Sequence, residues 1–253
     1  MALKIAVAGK GGVGKTTVSA ALAQSLRRAG ERVLAVDADP NNCLGRALGF
    51  AEERLSGATP LSEMKELLAE RAGTASGGGF FALNPQVEDL LAAYQLEKDG
   101  ISLLVMGTVD EPGAGCVCPE SAVLKALLRH LVGLEATSLV LDMEAGLEHL
   151  GRGTAQHVGA LLIVAEPTAA SARTAARIAV LARGLGLRLP GVVVNKATSP
   201  GDTQKVRPYL EGLEIMATLP LDVSVAASES VPSSGPLVQA VDELRQRLAA
   251  RLN

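Results

Sequence analysis

Gly9-Lys10-Gly11-Gly12-Val13-Gly14-Lys15-Thr16-Thr17 matches G-x-x-x-x-G-K-[ST] from Gly9 to Thr16. An apolar run, Leu3–Ala8, precedes it, and a helix-patterned segment beginning at Thr16 follows. Strand, glycine-rich turn and helix, in that order, make a phosphate loop. Its glycines let backbone N–H groups turn inward around phosphate oxygens, and the start of the helix adds positive potential. In this reading Gly11, Gly12, Val13, Gly14 and Thr17 belong to the cradle. Lys15 reaches the β- and γ-phosphates, and the Thr16 hydroxyl helps to hold Mg²⁺. A glycine-rich turn without a ligand is the competing reading, and the flanking strand and helix speak against it. Lys10 is an additional lysine, placed beside the phosphates rather than under them, and suits a nucleotide on a facing subunit.

Working outward, apolar and often β-branched runs alternate with amphipathic segments. Strands are expected near Lys4–Ala8, Arg32–Val36, Phe80–Leu83, Leu103–Met106, Ser138–Asp142, Leu161–Ala165, Val192–Asn195 and Ile215–Thr218. Helices are expected near Thr16–Ala29, Ser62–Ala72, Pro119–Val132, Ala169–Leu185 and Pro236–Leu252. This alternation implies crossover connections: a single-domain α/β P-loop fold over residues 1–253, with a mainly parallel sheet of about 7–8 strands and helices on both faces. Ligands then gather at the carboxyl ends of the strands. In the last helix Leu237, Val241, Leu244 and Leu248 form one stripe, read as docking onto the sheet rather than targeting a membrane.

The 253 residues are 48% hydrophobic but only 2% aromatic, with no Trp, so little material is present for stacking on nucleic-acid bases. A net charge of −3 argues against a broad nucleic-acid-binding face. No apolar stretch reaches the roughly 18 residues a membrane span needs, and no signal-peptide pattern opens the chain. Three cysteines are too few for a disulfide scaffold. A reducing, cytoplasmic compartment is expected.

The run Lys10–Thr17 resembles the deviant Walker A motif of the family that holds the nitrogenase iron protein, MinD and ParA ATPases, and metallocentre-maturation ATPases. The resemblance implies ATP hydrolysis in a homodimer, with Lys10 crossing the interface to the partner copy's ATP. In Val36-Asp37-Ala38-Asp39-Pro40-Asn41-Asn42, it assigns Asp39 to positioning the attacking water and Asp37 to support near the metal; turn formation is the plainer use of the same residues. Ser138–Asp142 has the Walker B pattern, in which Asp142 holds Mg²⁺ through water. Met143–His149 resembles the second switch segment, with Gly146 as pivot. His149 is either a metal ligand near the interface or a hydrogen-bonded structural residue. Asn195 resembles the strand-end Asn that recognises purines. Thr198 stands where guanine recognition wants Asp, so adenine is favoured, with Pro220 and Leu221 in the loop that packs against it.

Gly115-Cys116-Val117-Cys118-Pro119 places two thiols at i and i+2, half of a four-thiolate shell. A two-fold dimer would supply the other half. Two small buried residues or a redox pair are the alternatives. A helix opening at Pro119 would favour the thiolates, which suit Ni²⁺ or Zn²⁺. With Cys43-Leu44-Gly45 and Asp142–Leu150, this pair makes the chain resemble the CooC family of nickel-insertion ATPases. That resemblance implies an ATP-dependent metallochaperone with carbon monoxide dehydrogenase or acetyl-CoA synthase as client and Cys116 and Cys118 at the interface. Cys43 is read as structural, with metal contact the weaker possibility. A MinD- or ParA-like positioning switch would leave the cysteines unexplained, and an iron–sulfur carrier would use them for a cluster.

Overall fold

The computed structural model describes residues 2–74, 82, 84–107, 119–144 and 158–252. Eight strands form one sheet: β1 (Lys4–Gly9), β2 (Arg32–Ala38), β3 (Leu96–Lys98), β4 (Ile101–Val105), β5 (Thr137–Met143), β6 (Ala160–Ala165), β7 (Gly191–Ala197) and β8 (Ile215–Pro220). Their order is β3-β4-β2-β5-β1-β6-β7-β8. Every pairing is parallel except β3 with β4.

Alternation within the strands builds two cores. Ala6, Ala8, Leu34, Val36, Leu161 and Ile163 enter one, while Ile5, Val7, Val33, Ala35, Leu162 and Val164 enter the other. Burial on both faces accounts for strands that read as unbroken apolar runs. Helices α1 (Lys15–Arg28) and α2 (Leu44–Ala47) cover the second core. The short α3 (Glu52–Leu55) follows α2. The first core is covered by α4 (Lys65–Ala72), α5 (Leu90–Tyr94) and α6 (Pro119–Val132), then by α7 (Ala169–Gly184) and α8 (Asp202–Val206). After β8 come α9 (Val223–Ser228) and α10 (Pro236–Leu252). Leu237, Val241, Leu244 and Leu248 of α10 are buried in the second core, which fits the docking reading. Ser25 and Arg28 of α1 both donate to Asp242, at 2.5 and 2.7 Å, and tie α10 across α1.

The expected fold class holds, with local differences. Phe80, Phe81 and Leu83 lie outside the described residues, and Ala82 is in no strand. The sheet edge is instead β3, joined to β4 by Asp99-Gly100, whose φ angles are +50° and +78°. Two successive left-handed residues suit a two-residue hairpin. The helix expected from Ser62 starts at Lys65, because Met64 at ψ 66° separates it from a 3₁₀ turn over Leu61–Glu63.

Candidate active site

The carboxyl ends of β1, β2, β5, β7 and β8 open on a cleft of about 550 Å³. Its walls include Gly11, Gly12, Gly14, Lys15, Thr16 and Thr17 on one side, Asp39, Asn41, Cys43 and Glu144 on another, and Asn195, Lys196, Pro220, Leu221 and Asp222 on a third. The sequence-expected residues Lys15, Thr16, Asp39, Asn195, Pro220 and Leu221 therefore converge on one space. Val13 of the loop is buried, and Lys10 is exposed.

Glycine is required at particular points in this loop. Gly12 and Gly14 have φ of +82° and +90°, a region disfavoured for a residue with a Cβ. A Cβ on Gly14 would also stand 2.3 Å from Asn195 Nδ2. That amide donates to Val13 C=O at 2.9 Å, so Asn195 secures the loop through its nitrogen and keeps its oxygen for another donor.

Two acids lie beneath the cleft rather than on its walls. Asp37 and Asp142 are register neighbours on β2 and β5, at 0% and 1% exposure. Burial pushes Asp37 up to about 7, Asp142's charge adds to the rise, and the backbone N–H groups of Leu44 and Asp39 oppose it. Leu44 N–H reaches Asp37 Oδ2 at 2.8 Å, so this carboxylate anchors the start of α2. Burial likewise raises Asp142 to about 6, against the Thr16 and Ser19 hydroxyls and the Lys15 ammonium. Ser19 Oγ donates to Asp142 Oδ1 at 2.9 Å, while Oδ2 is buried without a hydrogen-bond partner among the described residues. A buried acceptor left in this state is costly, and a cation or its water would satisfy it. Thr16 and Asp142 thus fit Mg²⁺.

Asp39 both turns the chain and faces the cleft. Its Oδ1 accepts from Asn41 N and Nδ2 at 2.9 and 2.8 Å, so the turn is formed at a residue that also lines the cleft. Cys43 lines the cleft beside it and is exposed; burial of the thiol and then the Asp37 charge push its pKa up, so it is not an activated thiolate.

Sequence reasoning did not single out Lys196 or Glu166. Lys196 Nζ donates to Gly12 C=O and to Glu166 Oε1, each at 2.6 Å. The Asn-Lys pair ending β7 was the available signal for the lysine; Glu166 reaches it only because β6 and β7 are adjacent in the sheet. Cys116, Cys118, Gly146 and His149 lie outside the described residues. Among the described residues, no three His, Cys, Asp or Glu side chains gather closely enough to hold a metal.

Comparisons with known proteins agree with this cleft. Residues 4–232 match the CobQ/CobB/MinD/ParA nucleotide binding domain. The carbon monoxide dehydrogenase accessory protein CooC of Rhodospirillum rubrum is 43% identical over 228 residues, spanning 90% of this chain and 87% of that protein. An uncharacterized ATP-binding protein of Methanocaldococcus jannaschii is 43% identical over 232 residues, spanning 90% and 88%. The solved Mg-ADP complex of the septum site-determining protein MinD from Pyrococcus horikoshii aligns at TM-score 0.69 and 20% identity, covering 100% of this chain and 99% of that one. That last likeness is one of fold.

Proposed function

The chain belongs to the CobQ/CobB/MinD/ParA nucleotide-binding family, and from that premise we propose that it is an ATP-dependent metallochaperone delivering nickel to carbon monoxide dehydrogenase or acetyl-CoA synthase. The observation that carries this reading is the 43% identity to CooC across 90% of the chain.

The chain is a P-loop ATPase, and its residues divide the work. The N–H groups of Gly11 to Gly14 take phosphate oxygens, and Lys15 balances charge on the β- and γ-phosphates. Thr16, and Asp142 through water, would hold Mg²⁺. When bound, that ion neutralises charge on the β- and γ-oxygens. Asp39, on the cleft wall, orients the attacking water. Asn195 Oδ1 accepts from the adenine amino group, with Pro220 and Leu221 against the ring. Lys10, exposed in the loop, reaches the nucleotide of a second copy.

Two copies would bring Cys116 and Cys118 of each chain together as four sulfurs, a donor set for Ni²⁺ or Zn²⁺. Nickel is the cargo, held in the closed dimer and released when hydrolysis or client docking opens it. Among the described residues no helix is long and apolar enough to cross a membrane; a cytoplasmic location is part of the proposal.

Equilibrium dialysis against Ni²⁺ tests the thiolate assignment. Wild type is expected to bind one ion per two chains, and Cys116→Ser/Cys118→Ser to bind it far more weakly while still hydrolysing ATP. Equal affinity in the double variant would remove the cysteines from the site.

A further inference from the structure

A phosphate loop can point its N–H groups into the cleft only if its carbonyls turn outward and find partners there. Two successive carbonyls do so on side chains from the end of β7. Val13 C=O accepts from Asn195 Nδ2 at 2.9 Å, and Gly12 C=O accepts from Lys196 Nζ at 2.6 Å. The ammonium is held in turn by Glu166 Oε1 at 2.6 Å, from the chain just beyond β6. Lys196 has φ +59°, a conformation rarely adopted by long side chains. Backbone strain of this kind persists where the surroundings over-determine it, and it concentrates at working sites.

We propose that Lys196 is a positioning residue for nucleotide binding, with Glu166 as its anchor. Its ammonium fixes the Gly12 peptide so that the loop's N–H groups face the cleft. Glu166 holds that ammonium against the Gly12 carbonyl at the wall of the cleft. With its ammonium engaged by Gly12 C=O and Glu166 Oε1, Lys196 acts through Gly12 rather than as a phosphate ligand. Two consequences separate this role from that of Lys15. ADP and ATP lose affinity alike when Lys196 is removed, because both use the loop's N–H groups. Turnover at saturating ATP changes little, because no group at the γ-phosphate is lost.

Lys196→Gly is the informative variant, since glycine accepts φ +59° while removing the ammonium. Binding of a fluorescent ADP analogue at fixed Mg²⁺ is expected to weaken about tenfold to a hundredfold, the range of a hydrogen bond made by a charged group. The nucleotide-free melting temperature should stay within a few degrees of wild type. For ATP hydrolysis KM should rise by a similar factor, with kcat within about threefold. Lys196→Arg, which keeps a cationic donor, should recover most of the affinity. Glu166→Ala should weaken ADP binding in the same direction by a smaller factor. Wild-type ADP affinity in Lys196→Gly would overturn the proposal. So would a loss of affinity matched by a collapse of the melting temperature, or one that falls on kcat with KM unchanged.

Discussion

Lys15→Ala is expected to lower kcat/KM for ATP by about a hundredfold to a thousandfold, the scale seen when one preorganised electrostatic contact to a transition state is removed. Lys15 opens α1, is 7% exposed and lines the cleft with Gly11, Gly12 and Gly14. In the proposed function its charge would meet the β- and γ-phosphates in a site where water screens little. It also favours the ionised form of buried Asp142, whose pKa stands at about 6 because burial raises it more than the Thr16 and Ser19 hydroxyls and the Lys15 ammonium lower it. Loss of Lys15 therefore weakens phosphate binding and makes Asp142 a poorer partner for Mg²⁺. The fold should tolerate the change, because the removed group is a buried charge whose desolvation opposes folding. Phosphate-release kinetics beside a thermal melt would check both halves: activity falls steeply and the melting temperature does not.

Gly14→Ala is expected to impair the site by geometry rather than charge. The new methyl would force a left-handed residue costing about 1–2 kcal/mol and would stand 2.3 Å from Asn195 Nδ2. Asn195 is 4% exposed, so displacing it from Val13 C=O leaves buried polar atoms unpaired, worth about 1–3 kcal/mol more. Gly14 also starts α1, its carbonyl accepting from Val18 N–H at 3.0 Å. Together these effects amount to about 2–5 kcal/mol, expressed as a lower melting temperature and at least a tenfold loss of ADP affinity. Calorimetry and nucleotide titration on the same preparation would register both. An alanine variant that melts and binds like wild type would show that the loop does not need this conformation.

What could be read in the sequence, and what could not, follows from how local each signal is. Gly9–Thr17 carries its own flanking strand and helix, and the long strands are buried on both faces, so they stand out as apolar runs. The five long helices were visible through their periodicity. By contrast, α2, α3, α5, α8 and α9 are too short to show a period. β3 has only three residues, though Asp99-Gly100 was a legible hairpin signal. Asp37 and Asp142 were recognised as acids at strand ends. Their burial as register neighbours depends on β2 lying beside β5, which no local pattern states. The same holds for Lys196 and Glu166, thirty positions apart and joined by the pairing of β6 with β7.

Coupling between nucleotide and metal is the centre of the proposed function. If ATP closes two copies around nickel, each ligand must strengthen the other's binding by the same factor. The direct measurement is the Ni²⁺ dissociation constant of the wild-type protein with and without Mg²⁺ and a non-hydrolysable ATP analogue, at a protein concentration where the nucleotide-free form is monomeric. Nucleotide is expected to tighten Ni²⁺ binding by roughly 5- to 150-fold, the usual span of such couplings, at one ion per two chains. An unchanged dissociation constant, or one ion per chain in both conditions, would contradict it.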